Sequence, residues 1–284
     1  MTKNYENSLR EIIKEYNIKP KKKLGQNFLH DKNIISSIIK NVNVRDEDII
    51  EIGPGPGILT ENILKNKARS LLVIEKDESF EVNLKKIKNK YKDNFIYLIH
   101  DVIDFDFNKL TKKEYKIVSN LPYNISVPFI LKMIKIRGVI SWKDMVLMVQ
   151  KEVAERITAD IGTKNYGRLS IMVNLNNDVK KLLNVKPSSF IPRPKVDSTV
   201  IKISPKNKHI NINNEVFEKI VKICFSQRRK KVKNNLDQLK INTISLLELS
   251  NIDPDIRAEN IDIDGFIRIS SNYEELIKEN YEDF

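Results

Sequence analysis

Three glycines that follow a predicted strand are the first residues here whose spacing could serve chemistry. Gly53, Gly55 and Gly57 stand in "GPGPG", between the apolar "DIIEI" and the helix-like "ILTENILKN". Glycine at such a turn lets a ligand approach the backbone, and the following helix N-terminus favours an anionic group. A dinucleotide loop would place its third glycine where Ile58 stands, and the two prolines remove N–H donors that a pyrophosphate needs. The loop therefore predicts a nucleoside ligand without a pyrophosphate.

Two carboxylates follow the next two predicted strands. Glu75 ends "SLLVIE" about twenty residues after the glycine loop, where a carboxylate can accept both hydroxyls of a ribose. Asp101 follows "FIYLIH" and could accept the amino hydrogens of an adenine. Either residue alone is more typical of a solvated strand end. Because the carboxyl ends of adjacent parallel strands form one crevice, the two together favour a nucleoside site.

The segment "NLPY" at 120–123 follows a further strand and suits an adenine amino group. The lone pair of that amine is delocalised into the ring, so acceptors are needed to orient it. The Asn120 side chain and the Leu121 carbonyl could accept its hydrogens, and Tyr123 could stack on an extruded base. A nucleoside ligand that carries a methyl group on a sulfonium sulfur is an already activated methyl donor. Methyl transfer from it to the adenine amine needs positioning and electrostatic stabilisation but no strong base. Without the neighbouring loops, an ordinary turn would be the better interpretation.

These segments alternate between strands and helices, which predicts an α/β fold. Strands are predicted over 48–53, 70–77, 95–101, 115–123, 169–175 and 198–204. Helices are predicted over 8–16, 58–66, 78–91, 129–136 and 150–158. Beyond Pro205 the pattern becomes helical, after the polar run 206–209 interrupts it. We therefore predict one domain over 1–204 and a small helical domain over 205–284.

The charge balance favours an acidic partner. Fifty Lys and Arg residues against 38 Asp and Glu give a net charge of +12, which favours nucleic acid, although a lysine-rich genome could produce the same excess. The runs 19–23 and 228–233 could contact phosphate, and for the second a solvated helix face is an equal alternative.

The single cysteine, Cys224, excludes an internal disulfide and a cysteine-based metal site. Neither it, nor Trp142, nor the three histidines suggest a metal or a nucleophile. No apolar run approaches the roughly 20 residues of a membrane span, and the N-terminus is unlike a signal or transit peptide. We expect a cytoplasmic protein with no metal and no membrane attachment.

Eight blocks of this sequence, in order, resemble the ribosomal small-subunit RNA adenine dimethyltransferase family over nearly the whole chain. The blocks are "KKLGQNFL" (22–29), "EIGPGPGILT" (51–60), "VIEKD" (73–77), "NLPYNIS" (120–126), "MVQKEVAERI" (148–157), "YGRLS" (166–170), "FIPRPKVDS" (190–198) and "FSQRRK" (225–230). Each block is only suggestive, whereas eight in one order are specific.

The resemblance implies a Rossmann-like methyltransferase domain followed by a small helical, RNA-contacting C-terminal domain. It implies use of S-adenosylmethionine to dimethylate two adjacent adenines, in a hairpin near the 3′ end of small-subunit RNA in immature subunits. We also expect a monomer. Matching the family pattern assigns cofactor binding to Asn27, Leu29, Gly53, Glu75, Asp101 and Asn120. The same matching makes Tyr123 and Phe190 the aromatic partners of the target base, and Gln26 a residue that helps to close the cofactor pocket.

Two departures and two alternatives accompany this resemblance. Ile161 stands where the family usually has proline, and His100 occupies a variable position.

A related enzyme acting on one adenine of large-subunit RNA, the macrolide-resistance type, more often carries isoleucine after the asparagine of "NLPY". A non-catalytic assembly or transcription factor on the same scaffold would show degraded cofactor motifs, and those motifs are intact here.

Overall fold

A computed structural model describes residues 5–15, 18–110, 114–207 and 210–282. Contacts divide the chain into one unit of Met1–Ala154 with Val179–Pro205, and a second of Glu155–Asp178 with Lys206–Phe284. The second unit thus takes in residues 155–178, which the pattern-based boundary after residue 204 assigned to the first domain. Residues 16, 208 and 209, which were part of the predicted helix and polar run, lie outside the described residues.

The strands are β1 (Phe28–Leu29), β2 (Asp48–Ile52), β3 (Ser70–Glu75), β4 (Phe95–Ile99), β5 (Glu114–Asn120), β6 (Ser141–Gln150), β7 (Asn177–Val185), β8 (Phe190–Ile191) and β9 (Ser198–Pro205). The helices are α1 (Tyr5–Glu15), α2 (Lys32–Val42), α3 (Ile58–Lys65), α4 (Glu81–Tyr91), α5 (Ser126–Lys135), α6 (Lys151–Ile157), α7 (Arg168–Asn174), α8 (Asn214–Cys224), α9 (Val232–Leu236), α10 (Thr243–Leu249) and α11 (Ile263–Glu282). No helix of the described ranges is both long and apolar enough to cross a bilayer.

A seven-stranded sheet in the order β4-β3-β2-β5-β6-β9-β7 carries the first unit. The strands from β4 to β6 run parallel to their neighbours, and β9 joins β6 antiparallel. Every residue of the central strand β2 is buried, which explains its isoleucine-rich sequence. The chain leaves β2 towards β3 on one side and returns through β5 on the other. Ligands of open α/β sheets bind at such a switch point, outside the carboxyl ends of the strands.

The second unit is helical over most of its described residues. Phe217, Cys224 and Phe266 are completely buried in its apolar core. Asn213 caps the N-terminus of α8, where its side chain accepts from two backbone N–H groups. Burial raises the pKa of the Cys224 thiol to about 12. A thiol in that state is a poor nucleophile at neutral pH, and it serves here as a core residue.

The α/β fold predicted from the sequence is confirmed, whereas one predicted strand is wrong and four strands were not predicted: the two-residue β1 and β8 and the longer β6 and β7. Residues 169–174 of that predicted strand lie in a helix, α7, and Leu175 is the C-cap of this helix. Leu169, Ile171 and Val173 are all buried, and a short apolar run buried on several sides shows no diagnostic period. The long strand β6 was not predicted, although its apolar "MVLMV" is typical of a fully buried strand, and Gln150 ends it instead of starting a helix. The half-polar strand β7 was also missed.

Candidate functional site

A cavity of about 990 Å³, including its open mouth, lies at the carboxyl ends of the parallel strands. Its lining comes from the glycine loop after β2, from residues at or just after the ends of β3, β4 and β5, and from the segment Leu24–Leu29. The six residues predicted to bind the cofactor all line it: Asn27, Leu29, Gly53, Glu75, Asp101 and Asn120. The sheet topology therefore brings together residues that are more than ninety positions apart in sequence.

The glycine loop is shaped so that side chains would obstruct it. Gly55 has a φ of 53°, in the left-handed region, and a Cβ there would lie 3.2 Å from the Phe28 ring. Gly57 has a φ of 82°, and its Cβ would lie 2.7 Å from Ile87. Substitution at either position would strain the backbone as well as crowd a neighbour. The loop thus leaves backbone exposed to the cavity and starts α3 beside it.

Glu75 ties this loop to the end of β3. Its Oε2 accepts from the Gly55 N–H at 3.0 Å, and its Oε1 accepts from the Asp77 N–H at 2.8 Å. Burial raises the pKa of Glu75, and the two backbone donors partly oppose the rise. Each carboxylate oxygen has further lone pairs, so the residue retains acceptor capacity towards a ligand hydroxyl.

A second carboxylate, Glu51, lines the same cavity and was not singled out from the sequence. It is 1% exposed on β2, and its Oε2 has no hydrogen-bond partner among the residues that the structure describes. Burial raises the pKa of Glu51 to about 8; the charge of Glu75 adds to the rise, and the Thr60 hydroxyl partly offsets it. An acid two residues before the glycine loop, inside an otherwise apolar strand, was the signal available in the sequence.

The raised pKa of Glu51 predicts that stability falls as pH rises. The unfolded carboxyl titrates near 4.5 and the folded one near 8, so between these values the folded state holds a proton that the unfolded state has lost. The stabilisation that this proton provides is complete below pH 4.5. The free energy of unfolding then declines by up to about 1.4 kcal/mol per pH unit as the pH approaches 8. Urea unfolding between pH 5 and 8 should show this decline, and Glu51→Gln should flatten it. Parallel profiles for the two proteins would contradict the prediction.

Asn120 is held so that one of its two side-chain polar atoms stays available. Its Nδ2 donates to the Asn27 carbonyl oxygen at 2.8 Å, which leaves Oδ1 as an acceptor. The Leu121 N–H donates to the Met148 carbonyl at 3.2 Å and fixes the peptide after it. Asn120 lines the cavity, whereas Leu121 is buried beside it.

The two aromatic residues predicted to hold the target base are placed differently. Tyr123 is half-buried, with its hydroxyl 2.7 Å from the Ser198 Oγ, and burial raises its pKa. Phe190 is 1% exposed and stands opposite Leu29 in the pairing of β8 with β1. Tyr123 is thus partly exposed, while Phe190 would need to move to stack on a base.

Asp101 follows β4 and lies in a well-held loop. Its Oδ1 accepts from the Ile103 N–H at 2.9 Å, and Lys76 Nζ lies 2.5 Å from Oδ2. Burial tends to raise the pKa of Asp101, but these donors outweigh it and the net shift is downward. Lys132 anchors the same loop by donating to the Val102, Ile103 and Phe105 carbonyls at 3.2, 2.6 and 2.8 Å.

His100 also lines the cavity, although the sequence suggested no role for it. Its backbone N–H donates to the Glu75 carbonyl at 2.7 Å, and its Nδ1 lies 2.8 Å from the Asp101 carbonyl oxygen. The residue therefore joins the ends of β3 and β4. In the part of the chain that the structure describes, no cluster of three or more His, Cys, Asp or Glu side chains could hold a metal ion.

The two basic runs are partly neutralised within the protein. In the second run, Arg228 pairs with Glu259 at 3.0 Å, and Lys231 and Lys233 both pair with Asp255, at 3.1 and 2.7 Å. Among the described residues, Arg229 and Lys230 of that run form no ion pair and are exposed. In the first run, Lys21 pairs with Asp77 at 2.6 Å. Fewer cations are therefore free for phosphate than the sequence suggested.

Comparison with known proteins adds independent information on this chain. The sequence model of the family described as Ribosomal RNA adenine dimethylase matches residues 17–275. A ribosomal RNA small subunit methyltransferase A of Pelagibacter ubique is 38% identical over 261 residues, which are 91% of this chain and 98% of that protein. The protein of the same name from Lactobacillus acidophilus is 41% identical over 278 residues, 92% of this chain and 94% of its own.

A solved structure supports the same relationship. The crystal structure of a dimethyladenosine transferase from Plasmodium falciparum superposes with a TM-score of 0.77 at 29% identity. The superposition covers 87% of this chain and 98% of that one.

Proposed function

The chain belongs to the ribosomal RNA adenine dimethylase family, and from that premise we propose that it dimethylates the N6 amino groups of two adjacent adenines in the 3′-terminal hairpin of small-subunit ribosomal RNA. It is a methyltransferase that uses S-adenosylmethionine, and its substrate is ribosomal RNA. The small subunit is proposed because relatives that match over most of their length carry that name. The observation that carries the chemistry is Asn120, whose amide has one polar atom anchored and the other available at the cavity.

The cavity suits this cofactor on its own chemistry. S-adenosylmethionine, when bound, supplies a methyl group on a positively charged sulfur, so the nucleophile needs little further activation. Two buried acids, Glu51 and Glu75, line the cavity, and among the described residues one oxygen of Glu51 has no hydrogen-bond partner. Buried polar atoms left without a partner favour a ligand that brings hydrogen-bonding groups of its own, such as the hydroxyls of a ribose. Glu75 would accept from the ribose hydroxyls and Asp101 from the adenine amino group. The exposed backbone of the glycine loop would contact the rest of the cofactor.

The protein's contribution to transfer is orientation. The Asn120 Oδ1 and the Leu121 carbonyl would accept the two hydrogens of the target amine and direct its nitrogen towards the methyl group. Neither is a strong base, so both act by positioning and by stabilising the charge that develops on nitrogen. Tyr123 would stack on the extruded base, and Phe190 would join it after a side-chain movement.

We further propose a monomer that acts in the cytoplasm on immature small subunits. Every residue that lines the cavity comes from the unit Met1–Ala154 with Val179–Pro205 of one chain, so no second copy is needed to complete the site. We keep the division into a methyltransferase domain over 1–204 and an RNA-contacting domain over 205–284 as part of this proposal. Arg229 and Lys230 are its leading candidates for phosphate contact.

The direct test supplies purified protein with methyl-labelled S-adenosylmethionine and unmethylated ribosomal particles. Label should enter the RNA of immature small subunits and not that of large subunits. Label confined to large-subunit RNA would favour the macrolide-resistance type of enzyme. Absence of both cofactor binding and transfer would favour a non-catalytic factor on the same scaffold.

Tyr123 allows stacking to be separated from hydrogen bonding. We expect Tyr123→Ala to lower kcat/KM for small subunits by roughly 10–100-fold, the usual effect of losing one base–aromatic stack. Tyr123→Phe keeps the ring and loses only the contact with Ser198, so its kcat/KM should stay within a few-fold of the wild type. Steady-state kinetics with both variants would check this. Equal losses in the two variants would show that the hydroxyl, and not the ring face, is what matters.

A further inference from the structure

Asp77 is a nearly buried acid, 3% exposed, that the mechanism above leaves without a role. It stands two residues after Glu75 and caps the turn at 78–80, where its Oδ1 accepts from the Ser79 N–H at 3.1 Å and the Ser79 hydroxyl at 2.7 Å. A cap needs only one carboxylate oxygen. The Oδ2 atom, and the remaining lone pair of Oδ1, therefore accept hydrogen bonds from outside the turn.

Two contacts join Asp77 to a segment more than fifty positions earlier. Lys21 Nζ donates to Oδ1 at 2.6 Å, and Gln26 Nε2 donates to Oδ2 at 2.7 Å. The Gln26 Oε1 in turn accepts from the Lys21 backbone N–H at 2.7 Å, which closes a ring of hydrogen bonds. Burial opposes ionisation of Asp77, but these donors prevail and lower its pKa to about 2. The carboxylate is therefore charged at any physiological pH.

The segment held in this way forms one wall of the cofactor cavity, since residues Leu24–Leu29 all line it. At its far end β1 pairs with β8, and in the middle the Asn27 carbonyl accepts from Asn120. Phe28 packs edge-on against Phe80, with ring centroids 5.7 Å apart. At the near end, the ring of contacts around Asp77 fixes Lys21 and Gln26. The wall is thus tied at both ends, and Asp77 supplies the only charged anchor among the contacts named.

We propose that Asp77 is a positioning residue that holds the wall Leu24–Leu29 over the cofactor site through Lys21 and Gln26. The proposal rests on the proposed function, because it takes the cavity to bind S-adenosylmethionine. When the anchor is lost, the wall occupies the closed arrangement in only a fraction of the molecules. The apparent affinity for the cofactor then falls in proportion to that fraction. Once the cofactor is bound the reacting groups are unchanged, so kcat at saturation should persist.

The test compares Asp77→Asn with a matched control, Asp48→Asn. Asp48 is 2% exposed, pairs with Arg69 at 2.6 Å and accepts from the Ser70 hydroxyl at 2.5 Å, but it begins β2 at the end away from the cavity. Both variants should lower Tm. Only Asp77→Asn should raise the Kd and KM for S-adenosylmethionine, by about tenfold for one lost charge-assisted contact, with kcat within a few-fold. Calorimetric titration and steady-state kinetics supply these values.

Two further variants distinguish positioning from general support. Lys21 has a side chain that is 43% exposed, so Lys21→Met should fold even if Asp77→Asn does not, and its KM for the cofactor should rise in the same direction. In a Lys21→Met, Gln26→Met background, adding Asp77→Asn should change KM no further, because the partners through which it acts are gone. The proposal would be overturned if adding Asp77→Asn to this background raised KM as much as it does alone. It would also be overturned if Asp77→Asn lost stability like the control but kept the wild-type KM. If the wild-type protein does not bind S-adenosylmethionine, the proposed function fails and this inference fails with it; if it binds and the variants bind equally well, only this inference fails.

Discussion

Asn120→Ala is expected to lower kcat for methyl transfer by about 100-fold or more, the usual loss when one preorganised group at a reacting centre is removed. The Oδ1 atom is the acceptor that the structure leaves available for the target amine, and alanine cannot replace it. Because the side chain is only partly buried, Tm should change little. Single-turnover rates with saturating cofactor and small subunits measure the effect on chemistry.

Two comparisons show which function of the Asn120 side chain is lost. Asn184→Ala removes an amide whose Oδ1 contacts Thr199 on the sheet, outside the cavity, and should leave the rate unchanged. Asn120→Asp keeps an oxygen acceptor but loses the donor to the Asn27 carbonyl, so it should weaken cofactor binding as well as transfer. Near-normal rates in Asn120→Ala would exclude the orienting role.

The second large effect is expected at Glu75. Glu75→Ala should raise the Kd for S-adenosylmethionine by roughly 10–100-fold, the range for losing a hydrogen bond to a charged acceptor. It should also destabilise the protein without ligand, because the Gly55 and Asp77 N–H groups lose their acceptors, each at about 1–3 kcal/mol if left unpaired. Calorimetric titration and urea unfolding measure the two effects separately.

Glu75→Gln is the matched variant for this prediction. It retains one oxygen acceptor of similar shape, so its loss of affinity and of stability should both be smaller than those of Glu75→Ala. If Glu75→Ala binds the cofactor as tightly as the wild type, Glu75 does not bind the ribose hydroxyls. A different part of the ligand would then lie at the end of β3.

The site could be predicted largely because its residues stand where parallel strands end. Glu75 and Asn120 end their strands and Asp101 follows β4, and strands of one parallel sheet present their carboxyl ends at one edge. Local patterns therefore sufficed to place them together. The glycine loop was recognisable for the same reason, since its spacing is a property of a few consecutive residues.

What could not be predicted depends on contacts distant in sequence or on complete burial. Glu51 lies inside the buried strand β2, and its position before the glycine loop marks it as unusual but does not show that its side chain faces the cavity. The pairing of Asp77 with Lys21 and Gln26 links segments whose meeting no periodicity encodes. The apolar run 169–175 was assigned to the wrong kind of element because burial on several sides hides a helical period. The neutralisation of Lys231 and Lys233 by Asp255 likewise depends on the fold.

Mass spectrometry of small-subunit ribosomal RNA, from cells with and without this protein, tests the central claim most directly. Two adjacent N6,N6-dimethyladenosines should be present in the 3′-terminal hairpin when the protein is made and absent when it is not. The wild-type protein should restore them, and the Asn120→Ala variant should not. Persistence of both modified adenines without the protein, or a loss confined to large-subunit RNA, would contradict the account.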